Sequence, residues 1–444
     1  MEVLPGTAYR LLARLAAAQA GARLPSLVGG IVRDGGLVWT GGRGRVDGAP
    51  PVPDTQYRIG SITKVFTALL VMRLRDEGAL ALTDRFDEHV PGAPFGDRTV
   101  GQLLSHGAGL QAETGGEWWE RTPVGSWHEV VAGLGERAVP HAPGQRFHYS
   151  NLGFGALGAL VAAKRGRPWF EALRAEVLEP LGLRRTTYRP QPPHARGLAV
   201  HPWAQLVQAE PEHDAGALAP AGQLWSTLED LGRLAAFLLG DTGDVLSADT
   251  LEEMRSPALV DDHGSALESS YGLGLQVAQR DGHRLTGHSG AMPGFVAAVF
   301  VDVDARLGVV SAANTTYGGD RELVPALLGI VRDAEPPLRD EWQPAPLPDG
   351  IGLELLGTWC WGPNTYVLRA GQDGRLQLSG RGEETRFRRE GDAWIGLDGY
   401  FAGERLHIDP AGRFLELATF IFTRAPYGDG PIPGGVDPDG WTTC

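Results

Sequence analysis

The chain has 444 residues, 42% of them hydrophobic and 21% charged, a globular composition that excludes wholesale disorder and fibrous repeats. Its net charge of −14, from 54 acidic against 40 basic residues, disfavours a nucleic-acid or anionic-membrane partner, because such surfaces need a basic footprint. Two of those basic residues are lysines, Lys64 and Lys164, and the rest are arginines. Arginine keeps its proton inside proteins and lysine can lose it, so each retained lysine is a candidate for work arginine cannot do.

Near the start, Arg10 and Arg14 share one helical face while Leu11, Leu15 and Ala18 share another. This spacing predicts an amphipathic surface helix rather than a secretory core. No run reaches the roughly 18 apolar residues a membrane span requires, and two cysteines, Cys360 and Cys444, build no disulfide framework. The expectation is a cytoplasmic protein with no membrane partner. Residues 27–33 and 37–40 flank Asp34-Gly35-Gly36, which predicts a hairpin. Residues 61–77 carry Val65, Leu69 and Met72 at helical spacing before Gly78 closes the run. From about 85 to 250 the pattern is helical and loop-rich, with helices predicted at 152–164, 169–177 and 228–239. Strands are predicted at 272–277, 296–303 and 307–312 and a helix at 321–331, so a sheet forms from the two ends of this portion. A cleft is expected between the sheet and the helical lobe.

Prolines 336, 337, 344, 346 and 348 mark residues 335–349 as a stiff linker. Beyond it, short β-type runs at 365–369, 375–378, 385–389, 393–397, 405–408 and 414–423 are punctuated by glycines. They predict a small antiparallel barrel or sandwich. The division is therefore 1–334, a linker at 335–349, and 350–444.

One lysine lies in Ser61-Ile62-Thr63-Lys64 at a helix start, where residues three apart share a face. Hydroxyl and amine can touch there, and free backbone N–H groups help hold the oxyanion formed when serine attacks an acyl carbon. Lysine in this setting is the general base, provided burial brings its pKa down from about 10.4. Lys164, in Ala163-Lys164-Arg165-Gly166, reads as a solvated helix end. Downstream, Tyr149-Ser150-Asn151 precedes an apolar helix, and His288-Ser289-Gly290 precedes the β-run at 295–303, placing it at a strand edge facing the cleft. The 12 histidines show no metal-ligand spacing, so neither a metal nor another cofactor is expected.

In this order the motifs resemble the serine β-lactamase and penicillin-binding-protein superfamily, in its branch related to class C β-lactamases, D-aminopeptidases and esterases, over roughly residues 5–334. Residues 103–110 and 219–227 are similar to two further segments of that branch, and residues 350–424 resemble the lipocalin-like barrel appended to many members. The resemblance implies an α/β (α+β) β-lactamase-like transpeptidase fold with a helical lobe, followed by a small all-β lipocalin-like barrel. It implies Ser61 as nucleophile, Lys64 as its base, Tyr149 as proton relay to the leaving group, and Asn151 as the group orienting lysine and substrate amide. The backbone N–H groups of Ser61 and Ala291 would form the oxyanion hole, with Gly290 beside the substrate. The chain departs from the family where β-lactamases and carboxypeptidases usually carry Lys-Thr-Gly, having His288-Ser289-Gly290. Histidine, mostly neutral at cytoplasmic pH, recruits a substrate carboxylate poorly.

A cytoplasmic member with a lipocalin-like domain looks like the penicillin-binding-protein-type thioesterases. That resemblance implies release of a nonribosomal peptide from a carrier-protein thioester by macrolactam formation, with a D-residue at the acylating end. The alternatives are a cytoplasmic esterase or D-stereospecific peptidase or amidase, and a non-catalytic peptide sensor. Trp118, Trp119 and Trp127 are candidate apolar walls. Arg424 is a candidate anchor for a peptide carboxylate or carbonyl.

Overall fold

The computed structural model describes residues 2–443 except 136–137, 262–268, 317, 337, 339–340, 372 and 429. Pro337 and Cys444, both singled out above, thus lie outside the described residues. The chain divides into two compact units, Met1–Pro337 and Leu338–Cys444.

In the first unit, α1 (Pro5–Gly21) buries Leu11, Leu15 and Ala18, the stripe its spacing predicts. The hairpin follows as β1 (Ser26–Arg33) and β2 (Gly36–Gly44). A 3₁₀ turn, Gly60–Ile62, feeds α2 (Thr63–Asp76). The lobe beyond is built around α3 (Asn151–Arg165), the short α4 (Ala219–Gly222) and α5 (Leu228–Leu238). The chain then returns as β3 (Leu259–Val260), β4 (Ser269–Tyr271), β5 (Gln276–Arg280), β6 (His283–Met292), β7 (Phe295–Asp302) and β8 (Leu307–Ala313), before α6 (Leu323–Ala334). These strands form one sheet in the order β2-β1-β8-β7-β6-β5-β4-β3. Early and late chain meet antiparallel at β1 and β8, with Leu27 opposite Ala313 and Ile31 opposite Val309.

The centre of the sheet is apolar on both faces, as a strand covered from both sides must be. Leu27 and Ile31 pack with Leu11 and Leu15 of α1 and Leu327 and Val331 of α6. Val28 and Val32 point the other way, into the core shared with α2, α3 and α5. Two expectations are corrected here. The strand expected at 272–277 is broken at Gly274, which sits at φ +81°, so β4 and β5 form a hairpin instead. The segment carrying His288, expected at a strand edge, lies within β6, paired with β7 from Leu285 to Met292. Among the described residues, no helix is long and apolar enough to cross a membrane.

The second unit is a closed antiparallel barrel of eight strands in sequence order, from Gly357–Trp361 to Phe420–Thr423, sealed where Cys360 pairs with Thr423. The run expected at 414–423 is two strands, and the first strand, 357–361, was not foreseen. Trp359, Leu368, Leu376, Phe387, Leu415 and Phe422 fill the interior. These apolar side chains form a core of the barrel's own.

Candidate active site

Gly60 sits at φ +51°, a conformation that glycine adopts at little cost. It turns the chain so that Ser61 leads into α2 and Lys64 falls in its first turn. The Lys64 Nζ donates to Ser61 Oγ at 3.0 Å, to Asn151 Oδ1 at 2.6 Å and to the Ala221 carbonyl at 2.8 Å. That carbonyl is one of those the short α4 leaves without a helical partner. Lys64 is wholly buried. Burial pushes its pKa down to about 7, against the opposing pull of Glu113 and Glu120. Burial thus favours the neutral amine beside the serine, the form a general base requires.

Tyr149 and Asn151 flank Ser150, the extended N-cap of α3, whose Oγ accepts from the Gly153 N–H. Residues two apart on extended backbone face the same side, which accounts for a tyrosine two places before an asparagine. The buried Tyr149 hydroxyl is hydrogen-bonded to Ser61, and its pKa is raised by burial. The Lys64 ammonium stands 4.8 Å from the Tyr149 ring centre. His106 braces this segment: its Nδ1 accepts from the Ser150 N–H at 3.1 Å, and its ring stacks 4.3 Å from that of Tyr149. Burial holds His106 well below the usual histidine range, so it stays neutral and keeps that acceptor.

His288 lies on the opposite wall. Its Nδ1 is 2.5 Å from the Ser289 carbonyl and its Nε2 is 2.9 Å from the Tyr271 hydroxyl. The carbonyl only accepts, so Nδ1 carries the proton, Nε2 is the acceptor and Tyr271 donates. Burial first, then the Lys64 charge, pushes the His288 pKa down to about 3. His288 is therefore neutral, with both nitrogens engaged within the protein. It braces the strand ahead of Ala291 rather than presenting a cation to substrate. A Cβ at Gly290 would collide with the Ile59 carbonyl and lie 3.2 Å from the Ser61 N, while one at Gly60 would lie 2.6 Å from the Ala291 N. Glycine at both positions lets the Ser61 turn and β6 touch, which brings together the two N–H groups expected to hold an oxyanion.

Of the aromatic candidates, Trp119 is buried, with its Nε1 donating to Glu113 Oε2, so it serves the supporting layer rather than an open wall. Trp127 packs edge-on against Phe86 and Phe95 in the lobe. Trp118 remains exposed and donates at 2.9 Å to Glu120, a residue of the cleft lining. The Arg424 guanidinium lies 3.6 Å from the Trp359 ring centre and donates to the carbonyls of Glu354, Leu356 and Thr358. Its donors are engaged by backbone carbonyls of the second unit, partly at the surface, and this contact is what the structure shows for the candidate anchor. Sequence reasoning missed Glu113, His106 and Tyr271. His106 lay within a segment already similar to the family, but Glu113 and Tyr271 had no local signal.

Residues 12–331 match the Beta-lactamase family, and residues 348–424 match a domain of unknown function, DUF7586. Penicillin-binding protein 4 of Amycolatopsis lactamdurans is 29% identical over 319 residues, 64% of this chain and 81% of that protein. Among solved structures, SurE superposes with a TM-score of 0.60 at 26% identity, across 95% of this chain and 99% of that one. A D-stereospecific amidohydrolase from Streptomyces sp. superposes with a TM-score of 0.61 at 26% identity, across 74% of this chain and 98% of that one.

Proposed function

We infer the function from one premise: the chain belongs to the Beta-lactamase family, whose members are serine hydrolases. We propose that it is an acyltransferase that takes a peptidyl group from a carrier-protein thioester onto Ser61 and releases it as a macrolactam, with a D-residue at the acylating end. The observation that carries the acyl-enzyme step is the buried Lys64 amine, 3.0 Å from Ser61 Oγ and close to neutrality at pH 7. Ser61 Oγ attacks the thioester carbonyl as its proton passes to Lys64. The C–S bond breaks, and the departing sulfur takes a proton through Tyr149. The peptide's own amine then attacks the Ser61 ester, loses a proton toward Tyr149 and Lys64, and frees the serine hydroxyl.

Three features support the finer reading. The neutral His288 offers no cation for the carboxylate that β-lactams and peptidoglycan stems carry. Glu113 and Glu120, both acting on Lys64, give the cleft a negative field that draws an amine. The likeness to SurE runs through both units, and SurE has also been solved with D-Leu. Hydrolysis of a D-acyl amide is the second reading, favoured by the likeness to the D-stereospecific amidohydrolase.

Mass spectrometry after incubation with a peptidyl thioester mimic ending in a D-residue separates these readings. Cyclic product lost in Ser61→Ala supports the macrocyclase. Linear acid alone supports the hydrolase, and an adduct that never turns over points to a sensor.

A further inference from the structure

Glu113 stands at the solvent edge of the cleft, outside the serine, lysine, tyrosine and histidine motifs. Its Oε1 accepts from Asn151 Nδ2 at 2.8 Å, and its Oε2 accepts from the indole of the buried Trp119. The Asn151 amide has one acceptor end and one donor end. With Nδ2 bound to a carboxylate, Oδ1 is left facing Lys64 Nζ at 2.6 Å. Were the amide reversed, two donors would oppose each other at the lysine and an oxygen would oppose the Glu113 carboxylate. Glu113, fixed by Trp119, therefore decides which end of Asn151 the lysine meets.

We propose that Glu113 is a positioning residue for acyl transfer: through Asn151 it aims the Lys64 amine at Ser61, and its negative charge sets how readily that amine gives up its proton. This rests on the reading of Lys64 as the base for Ser61.

The charge balance around Lys64 makes the second half of the proposal specific. Tyr149 and Asn151 face it from the start of α3, His106 and His288 from the lobe and β6, and the Ala221 carbonyl from α4. Both histidines are held neutral. Against burial, which favours the neutral amine, stand the carboxylates of Glu113 and Glu120. Glu113 is itself pushed upward by burial, so its charge is held at some cost and is sensitive to its partners. A glutamine in its place removes the charge and keeps one oxygen for Asn151 Nδ2 while losing the acceptor for the Trp119 indole; an alanine removes the charge and both acceptors.

The test uses the fact that the chain has two lysines. The full-length protein labelled with ¹³C at lysine Cε gives two signals, and Lys164→Arg assigns them without any substrate. We expect the Lys64 signal to titrate near 7 in the native protein and about one unit lower in Glu113→Gln. Glu113→Asp, which keeps the charge, stays nearer the native midpoint. With a neutral p-nitrophenyl ester, the acid limb of kcat/KM moves with the lysine. The plateau falls no more than about threefold in Glu113→Gln and about tenfold further in Glu113→Ala, where Asn151 is released. A Lys64 midpoint that stays put in Glu113→Gln overturns the proposal, as does a change confined to KM for amine-bearing substrates. A native enzyme whose Lys64 titrates as expected but that never acylates Ser61 sinks the acyl-transfer reading instead.

Discussion

The two lysines occupy opposite kinds of helix end. Lys164 closes α3, where a cation meets the negative end of the helix dipole, and its Nζ donates to the Ala79 carbonyl at 2.9 Å at a solvent-exposed position. Lys64 opens α2, where the dipole repels a cation, and it is buried with its Nζ bonded to a hydroxyl, an amide oxygen and a backbone carbonyl. The first site suits lysine or arginine equally. The second opposes a positive charge on two counts, and its three acceptors accommodate a proton that must come and go. Local cost at Lys64 and local comfort at Lys164 distinguish a chemical role from a structural one.

Substitutions break the comparison in graded fashion. Ser61→Ala removes the atom Lys64 serves, and kcat/KM on a neutral ester falls on the order of 10⁴-fold or more, with no acyl adduct in the intact mass. Lys64→Arg keeps the charge and loses the base, costing on the order of 10³-fold in the same assay. Retention of full activity there would contradict the role given to Lys64. Tyr149→Phe, which leaves the lysine but removes the relay, costs about 10²-fold in kcat with little change in KM. Lys164→Arg sharpens the contrast by doing almost nothing: kcat/KM stays within about twofold and stability within about 0.5 kcal/mol by urea unfolding.

Much of this was legible in the sequence, for reasons that are local. Leu11, Leu15 and Ala18 announce the buried face of α1 because a helix repeats every 3.6 residues. Ser61 and Lys64 meet because three residues span one turn, and Tyr149 and Asn151 face together because they straddle an extended N-cap. What stayed hidden depends on contacts made by folding. Glu113 reaches Asn151 across 38 residues, and His106 reaches Ser150 across 44. No periodicity encodes such pairings. The strand around His288 escaped notice because Gly287, Ser289 and Gly290 have low β-propensity; glycine is needed at 290 for the approach of the Ile59 backbone, a requirement visible only in the folded chain. The contacts of Arg424 were hidden because an arginine at the end of a strand shows nothing of the aromatic ring and carbonyls that engage it.

The central claim is that a neutral Lys64 activates Ser61, and the pH dependence of the acylation burst tests it most directly. Because burial lowers the Lys64 pKa to about 7, the amine is protonated and inactive below that value and free above it. The logarithm of the burst rate on a neutral ester should therefore rise with unit slope below about pH 6, bend at about pH 7 and level off by about pH 8 to 9. A rate flat from about pH 5 to 9, or one still rising toward the ordinary lysine value of about 10.4, would contradict the account.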